Sequence, residues 1–173
     1  MQDIILKSEK IRLLILDVDG VLTDGKLFFD RAGNEYKSFH ARDGHGIKML
    51  LQTGVEVAII SGRDSKIVEQ RMKALGVQYI FQGQEDKLGS FNDLLRTLNL
   101  NEEQVAYVGD DLLDLPVMQR VGFAISVFDA NFAVKKFADW CTTLRGGEGA
   151  VREVCDFIMQ SQGNLDAAIN GNL

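Results

Sequence analysis

Residues 15–25 read ILDVDGVLTDG, and this segment is the strongest indication of the architecture of the chain. It begins as an apolar run and then places three aspartates, Asp17, Asp19 and Asp24, within eight positions. The apolar run predicts a buried β-strand, and carboxylates at the end of such a strand repel one another and resist burial. Some other group must therefore compensate their charge.

The rest of the chain alternates short β-rich runs with amphipathic stretches. Strands are predicted at residues 12–17, 56–60, 78–81, 104–108 and 123–127, and helices at 44–53, 65–75, 87–98, 115–121, 131–137 and 150–161. Several strands are apolar on both faces, as parallel strands covered by helices are. This order predicts one three-layer, Rossmann-like α/β domain spanning residues 1–173, with a parallel central sheet and right-handed crossovers.

One segment interrupts this order. Residues 26–39, KLFFDRAGNEYKSF, read as two short β arms around a polar turn, which predicts a β-hairpin insertion in place of a large cap domain. The apolar arm, Leu27 to Phe29, suits an interface better than an isolated exposed hairpin. At the other end, the polar, Gly- and Asn-rich residues 162–173 are expected to form a flexible, frayed tail.

The bulk composition excludes several classes of function. The chain has 173 residues, a formal charge of −6 and a pI near 4.9, which argues against a nucleic-acid binder. Cys141 and Cys155 have no CxxC spacing, so reduced thiols are expected. The sequence shows neither a signal peptide nor an apolar run of membrane-spanning length. We therefore expect a cytoplasmic protein without membrane insertion.

Polar residues gather where ligands bind in an open parallel sheet, beyond the carboxyl ends of the strands. The residues in question are Asp17 and Asp19 after the first strand, Ser61, Gly62 and Arg63 after the second, Lys87 at the helix after the third, and Asp110, Asp111 and Asp114 after the fourth. Carboxylates are tolerable there if they share a hard cation, and oxygen ligands favour Mg²⁺. A hydroxyl, backbone N–H groups and an ammonium suit phosphate oxygens. The constellation predicts phosphoryl transfer, with one aspartate as nucleophile and another as acid/base.

Several of these residues have simpler structural interpretations. The aspartates of DVDG could cap a turn, GDDLLD (residues 109–114) could cap a helix, and Lys87 could lie at a solvated helix start. Asp43 fits a plain helix N-cap, and the glycines of GGEG (residues 146–149) could form either a phosphate-binding loop or a hinge. His40 and His45 could be substrate contacts or surface residues.

At these positions the sequence resembles a known family. DVDGVLT (residues 17–23) is similar to the first motif of the haloacid dehalogenase superfamily of phosphohydrolases, Ser61 to its second, Lys87 to its third and GDDLLD to its fourth. The four motifs occur in order and span most of the chain. The resemblance implies that Asp17 is the nucleophile and Asp19 the general acid/base.

The resemblance also assigns the remaining site residues. Mg²⁺ would be held by Asp17, the backbone carbonyl of Asp19 and Asp110, with Asp111 and Asp114 in supporting positions. The transferred phosphoryl group would be bound by Ser61, Gly62 and Lys87.

A narrower likeness concerns SGRDS (residues 61–65), FHARDGHGIK (39–48) and GGEGAVRE (146–153), which resemble the 3-deoxy-D-manno-octulosonate 8-phosphate phosphatases. It implies Mg²⁺-dependent hydrolysis of that sugar-acid phosphate through an aspartyl-phosphate, in lipopolysaccharide synthesis. It also implies a homotetramer whose hairpins assemble around neighbouring active sites.

Two arginines are candidates for substrate contacts. A guanidinium is the natural bidentate partner of a carboxylate, so Arg63 is expected to bind the carboxylate of the sugar acid. The resemblance also implies that the segment around GGEGAVRE reaches a neighbouring active site, where Arg152 is a candidate contact. The alternative for Arg152 is a helix-surface ion pair with Glu148 or Glu153. Two other functions stay open: hydrolysis of a nonulosonate 9-phosphate, and a catalytically silent oligomerisation module.

Overall fold

The centre of the structure, a computed structural model that describes residues 2–171, is a sheet of six parallel strands. The strands of the described chain are β1 (Leu13–Leu16), β2 (Phe28–Phe29), β3 (Glu35–Tyr36), β4 (Glu56–Ile60), β5 (Tyr79–Phe81), β6 (Val105–Gly109), β7 (Phe123–Ser126) and β8 (Trp140–Cys141). The order in the large sheet is β5-β4-β1-β6-β7-β8, and β2 pairs only with β3. Strand β1 therefore lies inside the sheet, between β4 and β6.

Helices cover both faces of this sheet. They are α1 (Gln2–Glu9), α2 (Ala41–Gln52), α3 (Lys66–Leu75), α4 (Lys87–Leu98), α5 (Leu115–Met118), α6 (Phe132–Lys135), α7 (Ala150–Ser161) and α8 (Leu165–Ile169). The chain moves from β1 through β4 to β5 by way of α2 and α3, and then crosses back to β6 by way of α4. Because right-handed crossovers in opposite directions lie on opposite faces, α2 and α3 cover one face and α4 and α5 the other. Helix α7 packs against α2.

The core explains why β1 occupies the interior of the sheet. All four of its residues, LLIL, are fully buried, as are the facing residues of β6. Leu13 pairs with both Glu56 and Val105, so β1 is hydrogen-bonded along both edges. An apolar strand buried on both faces gains the most from removing its side chains from water.

The sequence prediction of a three-layer α/β fold with a parallel sheet and a hairpin insertion is confirmed. It missed three short or weakly patterned elements, α1, β8 and α8. Strand β8 has only two residues, too few for an alternating pattern, and α1 buries only Ser8. Helix α2 begins at Ala41, three residues before the predicted start at residue 44.

The early start of α2 changes the role of Asp43. This residue lies within the first turn of the helix rather than at its N-cap, which is His40. Its Oδ1 accepts a hydrogen bond of 2.8 Å from the backbone N–H of Arg152 in α7. The N-cap interpretation is therefore wrong, and the carboxylate instead joins two packed helices.

The hairpin is the only insertion between β1 and α2 within the described chain. Phe28 pairs with Tyr36 and Phe29 with Glu35 in an antiparallel ladder. The turn is closed by Asp30, which accepts hydrogen bonds from the N–H groups of residues 32 and 34. The apolar side chains of the two arms, Leu27, Phe28, Phe29 and Tyr36, are between 46 and 59 % exposed.

The tail prediction covers residues 162–173, of which 172 and 173 lie outside the described residues. The described part contains helix α8, which the composition did not predict. Leu165 and Ala168 pack against the hydrophobic core and account for the helix. Among residues 2–171, no helix combines the length and the apolar character that crossing a bilayer requires.

Candidate active site

Three neighbouring strands deliver the polar residues to one edge of the sheet. Asp17 follows β1, Ser61 follows β4 and Asp110 follows β6. Because β4 and β6 flank β1 and all three are parallel, their carboxyl ends meet at the same place. The backbone N–H of Asp17 donates to the carbonyl of Val108, which continues the β1–β6 ladder into the site.

Carboxylates form the centre of the site. One oxygen from each of Asp17, Asp110 and Asp114 lies within 4.8 Å of the others. Lys87, at the first residue of α4, reaches into this cluster: its Nζ lies 2.9 Å from Asp17 Oδ1 and 2.7 Å from Asp114 Oδ1. The Lys87 side chain is only 2 % exposed, so its positive charge is held against the carboxylates with little screening by water.

Asp114 uses all its acceptor capacity within the protein. Its Oδ1 accepts from Lys87 and, at 2.7 Å, from the hydroxyl of Tyr107. Its Oδ2 accepts from the backbone N–H groups of Asp110 at 2.8 Å and Asp111 at 3.2 Å. These bonds leave no free lone pair directed at a ligand, so Asp114 is suited to fix the loop and Lys87.

Asp110, by contrast, has a free acceptor. Its Oδ1 is buried, and no hydrogen-bond donor within residues 2–171 reaches it. A buried carboxylate oxygen without a partner is costly unless a cation binds it. Together with Asp17, it forms a pair of oxygen donors of the kind that Mg²⁺ prefers, so the residues present fit a magnesium ion.

The electrostatics of the cluster point the same way. Burial, reinforced by the charge of Asp17, raises the pKa of Asp110 to about 8. Burial and the charge of Asp114 raise the pKa of Asp17 to about 6, although Lys87 acts in the opposite direction. The carboxylates thus resist sharing the site in ionised form, and a divalent cation would remove that repulsion.

Gly20 allows Asp110 to approach the loop that follows β1. Its φ is +95°, and a β-carbon at this position would lie 2.1 Å from Asp110 Oδ2. Any side chain would therefore displace the carboxylate.

Asp24, the third aspartate of the segment 15–25, lies outside the carboxylate cluster. It binds Lys26 at the entrance to the hairpin.

The loop of residues 146–149 packs against this same segment. A β-carbon on Gly146 would lie 1.6 Å from the carbonyl oxygen of Gly20, and the N–H of Gly147 donates to the carbonyl of Val21 at 2.9 Å. The glycines thus bring two backbones into direct contact. This contact supports neither alternative that the sequence left open, the hinge or the phosphate-binding loop.

Asp19 lies beside the cluster and faces two cations. Its Oδ1 accepts a hydrogen bond from Lys37 of the hairpin, and its Oδ2 lies 3.7 Å from Arg63 Nε. Arg63 also donates to Glu35 Oε1 at 2.7 Å. The predicted carboxylate-binding arginine is thus at the site, where its side chain is 45 % exposed and already pairs with a carboxylate of the hairpin.

Ser61 and Gly62 line the same edge. Ser61 is buried, and its Oγ accepts a 3.3 Å hydrogen bond from the N–H of Arg63. No acceptor within residues 2–171 binds the N–H of Gly62, which leaves that donor available to an anion. Asp111 is exposed and is the N-cap of the short helical turn at residues 112–114, and its Oδ1 accepts a 3.3 Å hydrogen bond from Asn131.

Arg152 is not part of this cluster. Its Nε donates to both oxygens of Asp156, one turn on in α7, at 2.8 Å. The alternatives, ion pairs with Glu148 or Glu153, are wrong, because within residues 2–171 the ion-pair partner of Arg152 is Asp156. Glu153 instead accepts from the N–H groups of Thr143 and Leu144. The contact of Arg152 with a neighbouring active site stays a prediction.

Sequence reasoning missed three residues at the site, Lys37, Glu35 and Tyr107. Tyr107 stood within an apolar strand and gave no polar signal. Lys37 and Glu35 belong to the hairpin, and only its fold over the β1 and β4 loops brings them to Asp19 and Arg63. The one signal in the sequence was that Glu35 and Lys37, which have opposite charges, lie in the segment that follows the aspartate motif.

Comparisons with known proteins agree with this geometry. The family model of the haloacid dehalogenase-like hydrolases matches residues 79–154. The chain is 52 % identical, over 96 % of its length and 88 % of the relative's, to 3-deoxy-D-manno-octulosonate 8-phosphate phosphatase KdsC of Escherichia coli K12. The crystal structure of the Yersinia pestis phosphatase of the same name superposes with a TM-score of 0.94 at 48 % identity, covering 95 % of this chain and 89 % of that one.

A further solved structure is that of the 3-deoxy-D-manno-octulosonate 8-phosphate phosphatase of Moraxella catarrhalis, in complex with magnesium ion, phosphate ion and KDO. It is 42 % identical, covers 100 % of this chain and 99 % of its own, and has a TM-score of 0.97.

Proposed function

The chain belongs to the 3-deoxy-D-manno-octulosonate 8-phosphate phosphatase family of haloacid dehalogenase-like hydrolases, and from that premise we propose that it hydrolyses this sugar-acid phosphate to KDO and phosphate. The observation that carries the proposal is the position of Asp17, which lies 2.9 Å from the buried ammonium of Lys87 and within 4.8 Å of a carboxylate oxygen of Asp110. No hydrogen-bond donor within residues 2–171 reaches Oδ1 of Asp110. The product would serve lipopolysaccharide synthesis.

Each site residue has a part in the reaction. Asp17 attacks phosphorus to form an aspartyl-phosphate, while Asp19 protonates the departing sugar oxygen. In the second half, Asp19 takes a proton from water as the water attacks the aspartyl-phosphate. Lys87, Ser61 and the N–H of Gly62 hold the phosphoryl oxygens.

Asp17, Asp110 and the backbone carbonyl of Asp19 would hold Mg²⁺. When bound, the ion neutralises the carboxylates and the phosphate and stabilises charge on the transferred group. Asp114 supports this arrangement by fixing Lys87 and the backbone of residues 110 and 111. Asp111 lies beside it, on the exposed side of the loop.

Arg63 is proposed to bind the substrate carboxylate, in exchange for its present contact with Glu35. A nonulosonate 9-phosphate is the competing substrate, since it carries the same carboxylate at a different distance from phosphate. A panel of sugar-acid phosphates, with phosphate release measured in Mg²⁺ and in EDTA, tests the proposal. Equal or better turnover of the nonulosonate ester would overturn the proposed substrate. If the wild type released no phosphate from any ester, a catalytically silent module would be favoured.

The proposed assembly is a homotetramer with shared active sites. It is supported by the exposed apolar arms of the hairpin, Leu27, Phe28, Phe29 and Tyr36, which a second copy of the chain would cover. Arg152 would then lie near a neighbouring site. Light scattering of the wild type and of Phe28→Ser tests the assembly, with the exposed Phe137→Ser as a matched control outside the hairpin. A monomeric wild type at micromolar concentration would contradict it.

The proposed location is the cytoplasm. It is supported by the two cysteines, which are both free, with Cys155 fully buried. Fractionation of the producing cell tests this location, and enrichment of the enzyme in the periplasmic fraction would contradict it.

A further inference from the structure

The hairpin contributes a buried cation to the active site. Lys37 follows β3, and its side chain is only 1 % exposed. An ammonium buried to this extent requires a charged partner. Its partner is Asp19, whose Oδ1 accepts a hydrogen bond from Lys37 Nζ, and Glu35 Oε1 lies 3.5 Å from the same nitrogen.

Glu35 connects Lys37 to a second cation. The same carboxylate accepts the 2.7 Å hydrogen bond from Arg63 Nη2, and Arg63 Nε lies 3.7 Å from Asp19 Oδ2. Two carboxylates and two cations therefore form one closed network. Because its members come from the hairpin, from the loop after β1 and from the loop after β4, the network fixes the relative positions of these three segments.

We propose that Lys37 is a positioning residue for the acid/base Asp19, an inference that rests on the proposed phosphatase function. By occupying Oδ1 of Asp19, Lys37 leaves Oδ2 as the oxygen that carries the transferable proton. As Asp17 forms its bond to phosphorus and the bond to the departing oxygen breaks, Oδ2 gives that oxygen its proton and the alcohol leaves. In the second half Oδ2 takes the proton back from the attacking water as the Asp17–phosphorus bond breaks.

The contacts distinguish this role from direct binding of substrate. The Lys37 side chain is shielded from solvent and directed at two carboxylates of the protein, whereas that of Arg63 is 45 % exposed. Substrate can therefore reach Arg63 without moving the hairpin. Lys37 acts through Asp19, and its loss should affect proton transfer more than substrate affinity.

Leaving-group dependence tests this role. A departing nitrophenolate needs little protonation, whereas a departing phenolate or alkoxide needs the acid. We would measure kcat/KM, which reports the steps up to release of the alcohol, for a series of substituted phenyl phosphates that lack the sugar acid. In Lys37→Met, kcat/KM should fall about tenfold or more further for phenyl phosphate than for p-nitrophenyl phosphate, with KM little changed.

Four further variants complete the experiment. Asp19→Asn should show the same steepened dependence, and Lys37→Met combined with Asp19→Asn should be no worse than Asp19→Asn alone. Lys37→Arg, which keeps a cation, should recover part of the loss and also serves if Lys37→Met folds poorly. Lys26→Met is the matched control, because Lys26 lies in the same hairpin but binds Asp24, and it should leave the series unchanged.

The outcomes separate this inference from the proposed function. An equal loss for all esters, a change in KM alone, or no loss would overturn the role of Lys37 while leaving the phosphatase intact. A wild-type protein that releases no phosphate from any ester would instead overturn the proposed function.

Discussion

Asp114 Oδ1 lies 2.7 Å from Lys87 Nζ in a fully buried contact, and the other oxygen of Asp114 binds the backbone of residues 110 and 111. One carboxylate thus holds the phosphate-binding cation and the metal-binding loop together. The precision of the site depends on this residue, although the proposed chemistry does not pass through it.

Asp114→Asn is expected to damage both stability and activity. The carboxylate accepts four hydrogen bonds, from Lys87, from the hydroxyl of Tyr107 and from two backbone N–H groups. The NH₂ group of an amide cannot accept, so the buried donors on that side would lose their partner. We expect a loss of about 3 kcal/mol in the free energy of unfolding and of about 100-fold in kcat/KM. Urea denaturation and phosphate release measure the two. Asp93→Asn on the exposed face of α4 is the control. If Asp114→Asn had no larger effect than Asp93→Asn, the role of Asp114 would be contradicted.

Gly20→Ala is expected to displace Asp110. The new β-carbon would lie 2.1 Å from Asp110 Oδ2, at a φ of +95°. Gly54→Ala is the matched control, because Gly54 has a φ of +88° and no atom within 4 Å of its added β-carbon. Both variants should lose about 1 kcal/mol of stability from backbone strain. Only Gly20→Ala should also weaken Mg²⁺ binding, by about tenfold or more in calorimetry. Equal Mg²⁺ affinities would disprove the contact.

Binding of Mg²⁺ is expected to release protons. Near neutral pH the raised pKa of Asp110, about 8, keeps that carboxyl largely protonated, and a protonated oxygen is a poor ligand. Affinity should therefore rise with pH and level off above about 8, with about one proton released per ion near pH 7. Calorimetry in two buffers of different ionisation enthalpy counts the protons.

The raised pKa values of Asp17 and Asp110 also predict how the free energy of unfolding depends on pH when no metal is bound. Because the folded pKa of Asp17 and of Asp110 is raised above the ordinary value, these groups favour the folded state at low pH. Their contribution is lost as pH rises through about 6 and then about 8, and Mg²⁺ should restore it. Metal affinity that falls with rising pH would contradict the assignment.

Arg63→Ala is expected to separate substrate recognition from chemistry. The guanidinium is half-exposed and lies 3.7 Å from Asp19, so its loss should disturb the acid/base residue little. Because the variant lacks the proposed partner of the substrate carboxylate, KM for the sugar-acid phosphate should rise by about tenfold or more. For p-nitrophenyl phosphate, which has no carboxylate, KM should change little. Steady-state kinetics on both esters measure the difference. A matched increase for both would remove Arg63 from substrate selection.

Sequence reasoning located Asp17, Ser61 and Asp110 because strand order alone brings the carboxyl ends of parallel strands together. It could not find Lys37 or Glu35, since their contact with Asp19 and Arg63 depends on the direction in which the hairpin folds. It also could not identify Tyr107, which lies in an otherwise apolar strand and whose hydroxyl donates to Asp114. Pairings between distant segments require the packed structure.

The role of Asp17 as nucleophile is tested by phosphate release from 3-deoxy-D-manno-octulosonate 8-phosphate by Asp17→Asn in the presence of Mg²⁺. Asp24→Asn, in the same stretch of sequence but outside the carboxylate cluster, is the control and should retain wild-type activity. If Asp17 is the nucleophile, Asp17→Asn should lose about 10⁴-fold or more in kcat. Release at the wild-type rate by Asp17→Asn would contradict the mechanism.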